Sequence, residues 1–156
     1  MKKAAAVFVC GCLMAGGGIA VADEVEKSGL DHYMAPDMEK QGFPFSTAVR
    51  HGTTLYLAGV IGTKPGKAEV VDGGIEAETR RAMEMIGETL SAHNLGYADL
   101  VKCTVFLADM AEWPKFNQVY REYFGAGPFP ARSALGVNGL ALNASMEIEC
   151  LAAFPE

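Results

Sequence analysis

A chain of 156 residues, 50% hydrophobic and 21% charged, has the length and make-up of one folded domain; this excludes a disordered segment, a fibrous repeat and a disulfide-dense miniprotein. With 19 acidic against 13 basic residues and no basic run longer than the pair Arg80-Arg81, it has no generic attraction for phosphate backbones, so nucleic acid is not an expected partner.

The first 22 residues read as a secretory signal. Lys2 and Lys3 form a basic start, Ala4 to Leu13 is an unbroken small or apolar run, and a glycine-rich stretch ends in Ala20-Val21-Ala22. Cleavage is expected after Ala22, giving a periplasmic or secreted protein; a lipoprotein signal modified on Cys12 is the alternative. Three consecutive glycines argue against a retained membrane span. Loss of Lys2 and Lys3 leaves 11 basic against 19 acidic residues, a net charge of −8. Cys10 and Cys12 leave with the signal. Cys103 and Cys150 remain in apolar, strand-like runs and read as two unpaired core thiols; a disulfide stays open, since an oxidising compartment permits one.

Residues 23–42 are polar and irregular, with Pro36, and suggest an extended arm before a domain over 43–156. Ser46 to Arg50 and Thr53 to Ile61 read as strands joined at His51-Gly52 into a hairpin. Lys64-Pro65-Gly66-Lys67 marks a loop. From Gly74 to about Asn94 the period becomes helical: Ile75, Thr79, Ala82, Met83, Ile86 and Leu90 form one stripe, and Glu76, Glu78, Arg80, Arg81, Glu84 and Glu88 fall mostly off it. Asp72 and Gly96 are its boundary signals. Val101 to Leu107 is a strand, and Trp113 to Phe124 a helix that tolerates Pro114 in its first turn. Arg132 to Val137 and Met146 to Ala153 close the chain as strands. The order ββαβαββ predicts a two-layer α+β fold with both helices on one sheet face. The other face is then bare and apolar, which predicts a homo-oligomer.

Familiar catalytic signatures are missing. Neither Cys-x-x-Cys nor His-Glu-x-x-His occurs, and His32, His51 and His93 are scattered, so no metal site is expected. Serine-hydrolase elbows and phosphate-cradling glycine loops are likewise missing. Two positions stand out. Arg132 enters a strand from the stiff Phe129-Pro130 turn and offers a fork suited to a carboxylate. Glu147 and Glu149 alternate along an otherwise apolar strand, about 7 Å apart on one face, where apolar surroundings would raise their proton affinity. On residue type alone, a surface ion pair, a solvated strand face and a solvent-facing Asn117 are the commoner roles for these side chains, and the task of the domain stays open.

Across roughly Pro44 to Ala153 the sequence resembles the Rid (YjgF-type) family of enamine/imine deaminases. The resemblance is carried by Phe45-Ser46-Thr47-Ala48-Val49-Arg50-His51-Gly52, Leu55 to Gly62, Val101 to Asp109, Phe116-Asn117-Gln118-Val119-Tyr120, Pro130-Ala131-Arg132-Ser133 and Met146-Glu147-Ile148-Glu149. It implies a chorismate-mutase-like fold, a homotrimer with clefts between subunits, and hydrolysis of 2-enamine or 2-imine acids such as 2-aminoacrylate to 2-oxo acids and ammonia. It implies that Arg132 binds the substrate carboxylate, that Glu147 positions the water, and that Asn117, Gly59, Phe45 and Ala58 line the substrate site. No metal or organic cofactor is implied, because an imine is already electrophilic and needs chiefly orientation and a water.

Several cleft positions depart from the family pattern. Phe45 replaces a common tyrosine, Ala58-Gly59-Val60 replaces Ser-Gly-Gln, and Ala134 stands where a cysteine is frequent. The implied pocket is therefore more apolar than is usual for the family. Two other functions fit the same residues: non-catalytic binding of small carboxylates, and a holdase-like oligomer using its apolar faces.

Overall fold

The computed structural model describes residues 29–155. The signal, its cleavage point after Ala22 and the alternative lipid site at Cys12 lie outside them.

The elements are β1 (Leu30–Tyr33), α1 (Pro36–Gln41), β2 (Ala48–His51), β3 (Thr54–Leu57), α2 (Gly74–Ala92), β4 (Leu100–Leu107), α3 (Trp113–Glu122), β5 (Ala131–Gly136) and β6 (Met146–Ala153). They form one six-stranded sheet in the order β1-β2-β3-β6-β4-β5. All neighbours are antiparallel except β4 and β5, which are parallel and joined through α3. The expected ββαβαββ core is present as an α+β fold.

Every residue of the helical stripe read from the sequence is buried: Ile75, Thr79, Ala82, Met83, Ile86 and Leu90. They meet Phe116 and Tyr120 of α3 and the inward residues Leu55, Cys103, Val105, Leu107, Met146, Ile148 and Cys150 in a single core. Each large aliphatic side chain so buried contributes about 1.5–3 kcal/mol. Along β4 and β6 burial alternates with the strand period, so Thr104, Phe106, Glu147 and Glu149 point to the opposite face, where no helix covers them. Tyr56 and Leu135 on that face are each 47% exposed.

Three sequence expectations need correction. The region expected to be an irregular arm over 23–42 contains, in its described part, β1 and α1. β1 adds an edge strand to β2, and α1 carries Pro36 at its start and ends at Gly42, which takes the left-handed conformation at φ 68°. Asp72 does not cap α2; it pairs with Lys64 at 3.0 Å, and Gly73 occupies the cap position. Cys103 and Cys150 are not free thiols but a disulfide across β4 and β6, with Cα atoms 4.1 Å apart. Direct register between the two strands brings the cysteines face to face.

Candidate active site

The candidate residues form two groups. The first lies beneath α3 at the sheet edge. Arg132 on β5 is in register with the core residue Cys103, so its side chain points to the helix-covered face. There Nη2 donates to Asn117 Oδ1 at 2.6 Å. The guanidinium carbon sits 4.7 Å from the Tyr120 ring centroid and 5.4 Å from that of Phe116, within cation–π range. Arg132 is half-buried, and among the described residues it makes no ion pair. Burial pulls its pKa below the ordinary arginine value, with Arg121 as a smaller repulsive neighbour. A small pocket of about 220 Å³ opens beside it, lined by Asn117, Tyr120, Phe129 and Pro130. The Tyr120 hydroxyl is buried without a hydrogen-bond partner among the described residues, and burial raises its pKa to about 12.

The second group surrounds Glu147. β3 ends at Leu57, and the chain then bridges back to β6 at Val60, whose N–H donates to the Ile148 carbonyl at 2.9 Å. Tyr56 is paired with Leu151 but Val60 with Ile148, so β3 carries one more residue than β6 across this interval, a bulge. That bulge places Gly59 against the Glu147 carboxylate so closely that a side chain there would collide with Oε1. Glu147 is half-buried and, among the described residues, has neither a cation partner nor a hydrogen bond to its carboxylate. Desolvation, and secondarily Glu149 on the same face, push its pKa up. It lines a cavity of about 340 Å³ with Met38, Phe43, Phe45, Gly59, Val60 and Leu142. Ala58 and Phe45 line an adjoining cleft of about 330 Å³ that also contains Gly59.

Of the residues singled out in the sequence, the chain brings Arg132 together with Asn117, and Glu147 together with Gly59 and Phe45, with Ala58 next door. It does not bring the two groups together. Glu147 is in register with Phe106, and Arg132 with Cys103, three residues apart on β4, so the two side chains point to opposite faces of the sheet. Among the described residues, a single chain therefore holds a half-buried cation without a counterion on one sheet face and a half-buried carboxylate without one on the other. Such groups are costly to bury unpaired.

Sequence reasoning missed Glu78. Placed mostly off the α2 stripe, it is 4% exposed, and its carboxylate accepts from Ser145 N at 2.7 Å and Ser145 Oγ at 2.8 Å. This ties α2 to the segment leading into Met146 and Glu147. Its i+3 and i+4 spacing from Ile75 and Ala82 was the available signal. Among the described residues, no cluster of three or more His, Cys, Asp or Glu side chains could hold a metal ion.

Comparison with known proteins places this arrangement. The family model described as Endoribonuclease L-PSP matches residues 38–154. Over 109 residues the chain is 39% identical to the chloroplastic Reactive Intermediate Deaminase A of Arabidopsis thaliana, covering 70% of this chain and 58% of that protein. It is 38% identical over 109 residues to the 2-iminobutanoate/2-iminopropanoate deaminase of Mus musculus, covering 70% of this chain and 80% of that one. The crystal structure of the yjgF gene product of E. coli superimposes with a TM-score of 0.66 at 29% identity, over 70% of this chain and 87% of that one. With a matching family model over most of its length and relatives of this identity, the chain belongs to the Rid (YjgF-type) family.

Proposed function

We propose that the protein hydrolyses 2-imino acids and their 2-enamine tautomers to 2-oxo acids and ammonia, at a site completed between two copies of the chain in a homotrimer. The family makes it a deaminase acting on C–N bonds. The observation that carries the finer reading is the complementary pair of unpartnered charges: Arg132 with Asn117 on one sheet face, and Glu147 with Gly59 on the other. A small carboxylate substrate docked between neighbouring copies satisfies both. Its carboxylate takes the guanidinium fork, and its reactive carbon comes to the glutamate.

In this reading Asn117 holds Arg132 in place, and the desolvated guanidinium binds and orients the substrate carboxylate. Glu147 orients a water and takes its proton as the oxygen attacks the imine carbon. The C=N bond becomes C–N in a tetrahedral carbinolamine and the first water proton passes from Glu147 to nitrogen; Glu147 then carries the hydroxyl proton to nitrogen as well, and the C–N bond breaks as C=O forms. Ammonia leaves, and a 2-oxo acid remains. Raised proton affinity suits Glu147 to accepting that proton. The net charge of −6 disfavours a polynucleotide substrate, despite the description of the family model.

We also propose that the protein works outside the cytoplasm, after cleavage behind Ala22. The apolar, glycine-containing leader ending Ala20-Val21-Ala22 supports this. Mass spectrometry of the natively expressed protein tests it; a retained Met1 in the mature chain overturns it.

The activity is tested by generating imines from amino acids with an amino-acid oxidase and following 2-oxo acid release. Acceleration over spontaneous hydrolysis, lost in Arg132→Ala, is the expected result. No acceleration, or equal acceleration by the variant, overturns the reading, and so does full activity in a protein shown by light scattering to be monomeric.

A further inference from the structure

The loop before β6 contains a leucine in an unusual position. Leu142 adopts φ 56° and ψ 22°, the left-handed conformation that a branched side chain rarely takes, and Asn143 follows at φ 55°. Leu142 is also 45% exposed and borders the cavity that contains Glu147. Strain and exposure together are unfavourable in the isolated chain, and strained backbone of this kind concentrates where a ligand is gripped. The loop is not merely loose: it is anchored immediately downstream by the two hydrogen bonds from Ser145 to the buried Glu78 carboxylate, and the Ser145 carbonyl accepts from Ala108 N at 3.0 Å.

The same cavity is lined by Met38 of α1 and the ring pair Phe43 and Phe45, with centroids 5.4 Å apart; Phe45 is 44% exposed. The lining beside Glu147 is thus mostly apolar, with Gln41, Thr63 and Lys67 as its other polar residues. At about 340 Å³ the cavity has room for a side chain larger than the methyl group of an alanine-derived imine.

We infer that this cavity receives the substrate side chain, that the preferred substrates are 2-imino acids with bulky apolar side chains, and that Leu142 and Phe45 determine this specificity. The inference rests on the deaminase reading for the chemistry but on the cavity alone for the selectivity, so the two are separable. Leu142 closes over the apolar end of the substrate from the β6 side, and Phe45 from the α1 side, while Glu147 meets the imine carbon between them.

The test compares imines generated from leucine and from alanine, together with binding of 4-methyl-2-oxopentanoate and pyruvate followed by thermal shift. The native protein should prefer the leucine-derived imine by on the order of 10- to 200-fold in kcat/KM. Leu142→Gly, which removes the contact and relieves the backbone, should lower the preference for the leucine-derived over the alanine-derived imine about tenfold; Leu142→Met should restore most of the preference. Equal turnover of both imines, a preference for the smaller, or an equal loss on both in Leu142→Gly overturns the inference. A variant that changes oligomeric state at unchanged selectivity also overturns it, making Leu142 an intersubunit contact. If neither imine is turned over but the larger oxo acid still stabilises selectively through Leu142, the cavity assignment stands and the deaminase reading falls.

Discussion

A Cβ added at Gly59 would strike the Glu147 carboxylate. The bulge that brings Val60 back to Ile148 sets this approach, so the carboxylate's position depends on a residue without a side chain. Gly59→Ala should push the carboxylate aside. A displacement of about 1 Å at a reacting group costs on the order of a hundredfold in rate, while the overpacking itself should cost about 1–3 kcal/mol in stability. Measuring kcat/KM beside Tm separates the two effects; an active Gly59→Ala enzyme would show that Glu147 needs no such placement.

Arg132→Ala should lower kcat/KM by about 2–4 kcal/mol, roughly 30- to 900-fold, because the substrate carboxylate loses a desolvated charge partner. Arg132→Lys should recover little, since a point charge cannot reproduce the fork or the stacking over Tyr120. A site drawn from two chains makes a sharper demand. Arg132→Ala and Glu147→Gln, each inactive alone, should regain roughly a quarter of native activity after mixed refolding in equal amounts. Activity that stays at the level of the separate variants would show that the two groups share no site.

The sequence made some of this legible and concealed the rest for identifiable reasons. The α2 stripe and the alternation along β4 and β6 show through because burial imposes the helical and strand periods directly. β1 escaped because Leu-Asp-His-Tyr has no such alternation; as an edge strand it is mostly exposed and gains its structure from pairing with β2. α1 could have been found from Pro36 at its start and Gly42 at its end. The cysteine pairing could not, because it depends on β4 and β6 being neighbours in a particular register. Arg132 and Glu147 were identifiable as unusual residues, but their separation across the sheet emerges only from strand order.

The raised pKa of Glu147 gives two pH effects of defined sign. The carboxylate is the working form, so kcat/KM should fall on acidification at a higher pH than an ordinary glutamate would impose. The folded protein binds a proton that the unfolded chain has already released in the window between the ordinary and the raised pKa. Stability contributed by this site is therefore complete below the ordinary value and declines as pH rises through the folded one. Glu147→Gln removes the desolvated charge. It should abolish most activity yet raise Tm at neutral pH, with the gain vanishing in acid. A Tm difference independent of pH would contradict a desolvated, titrating Glu147.

Cys103 and Cys150 are 0% and 2% exposed, and they join the adjacent strands β4 and β6 across a sequence separation of 47 residues. Closing a loop of that length restricts the unfolded chain by an entropy worth about 4 kcal/mol. Reductant added to the folded protein should act slowly, because the sulfurs are inaccessible until β4 and β6 separate. Unfolding in urea with reductant should then show a midpoint lowered by about 4 kcal/mol divided by the m-value, and Cys103→Ala/Cys150→Ala should reproduce it without reductant. Both forms lacking the link should show a somewhat steeper transition, because the unfolded chain then expands and exposes more surface. Because the pair is on the helix side of the sheet and Glu147 on the other, catalysis by the folded double variant should match the native rate at low temperature. A large loss there would mean that the cross-strand link also holds the position of Glu147, three residues away along β6.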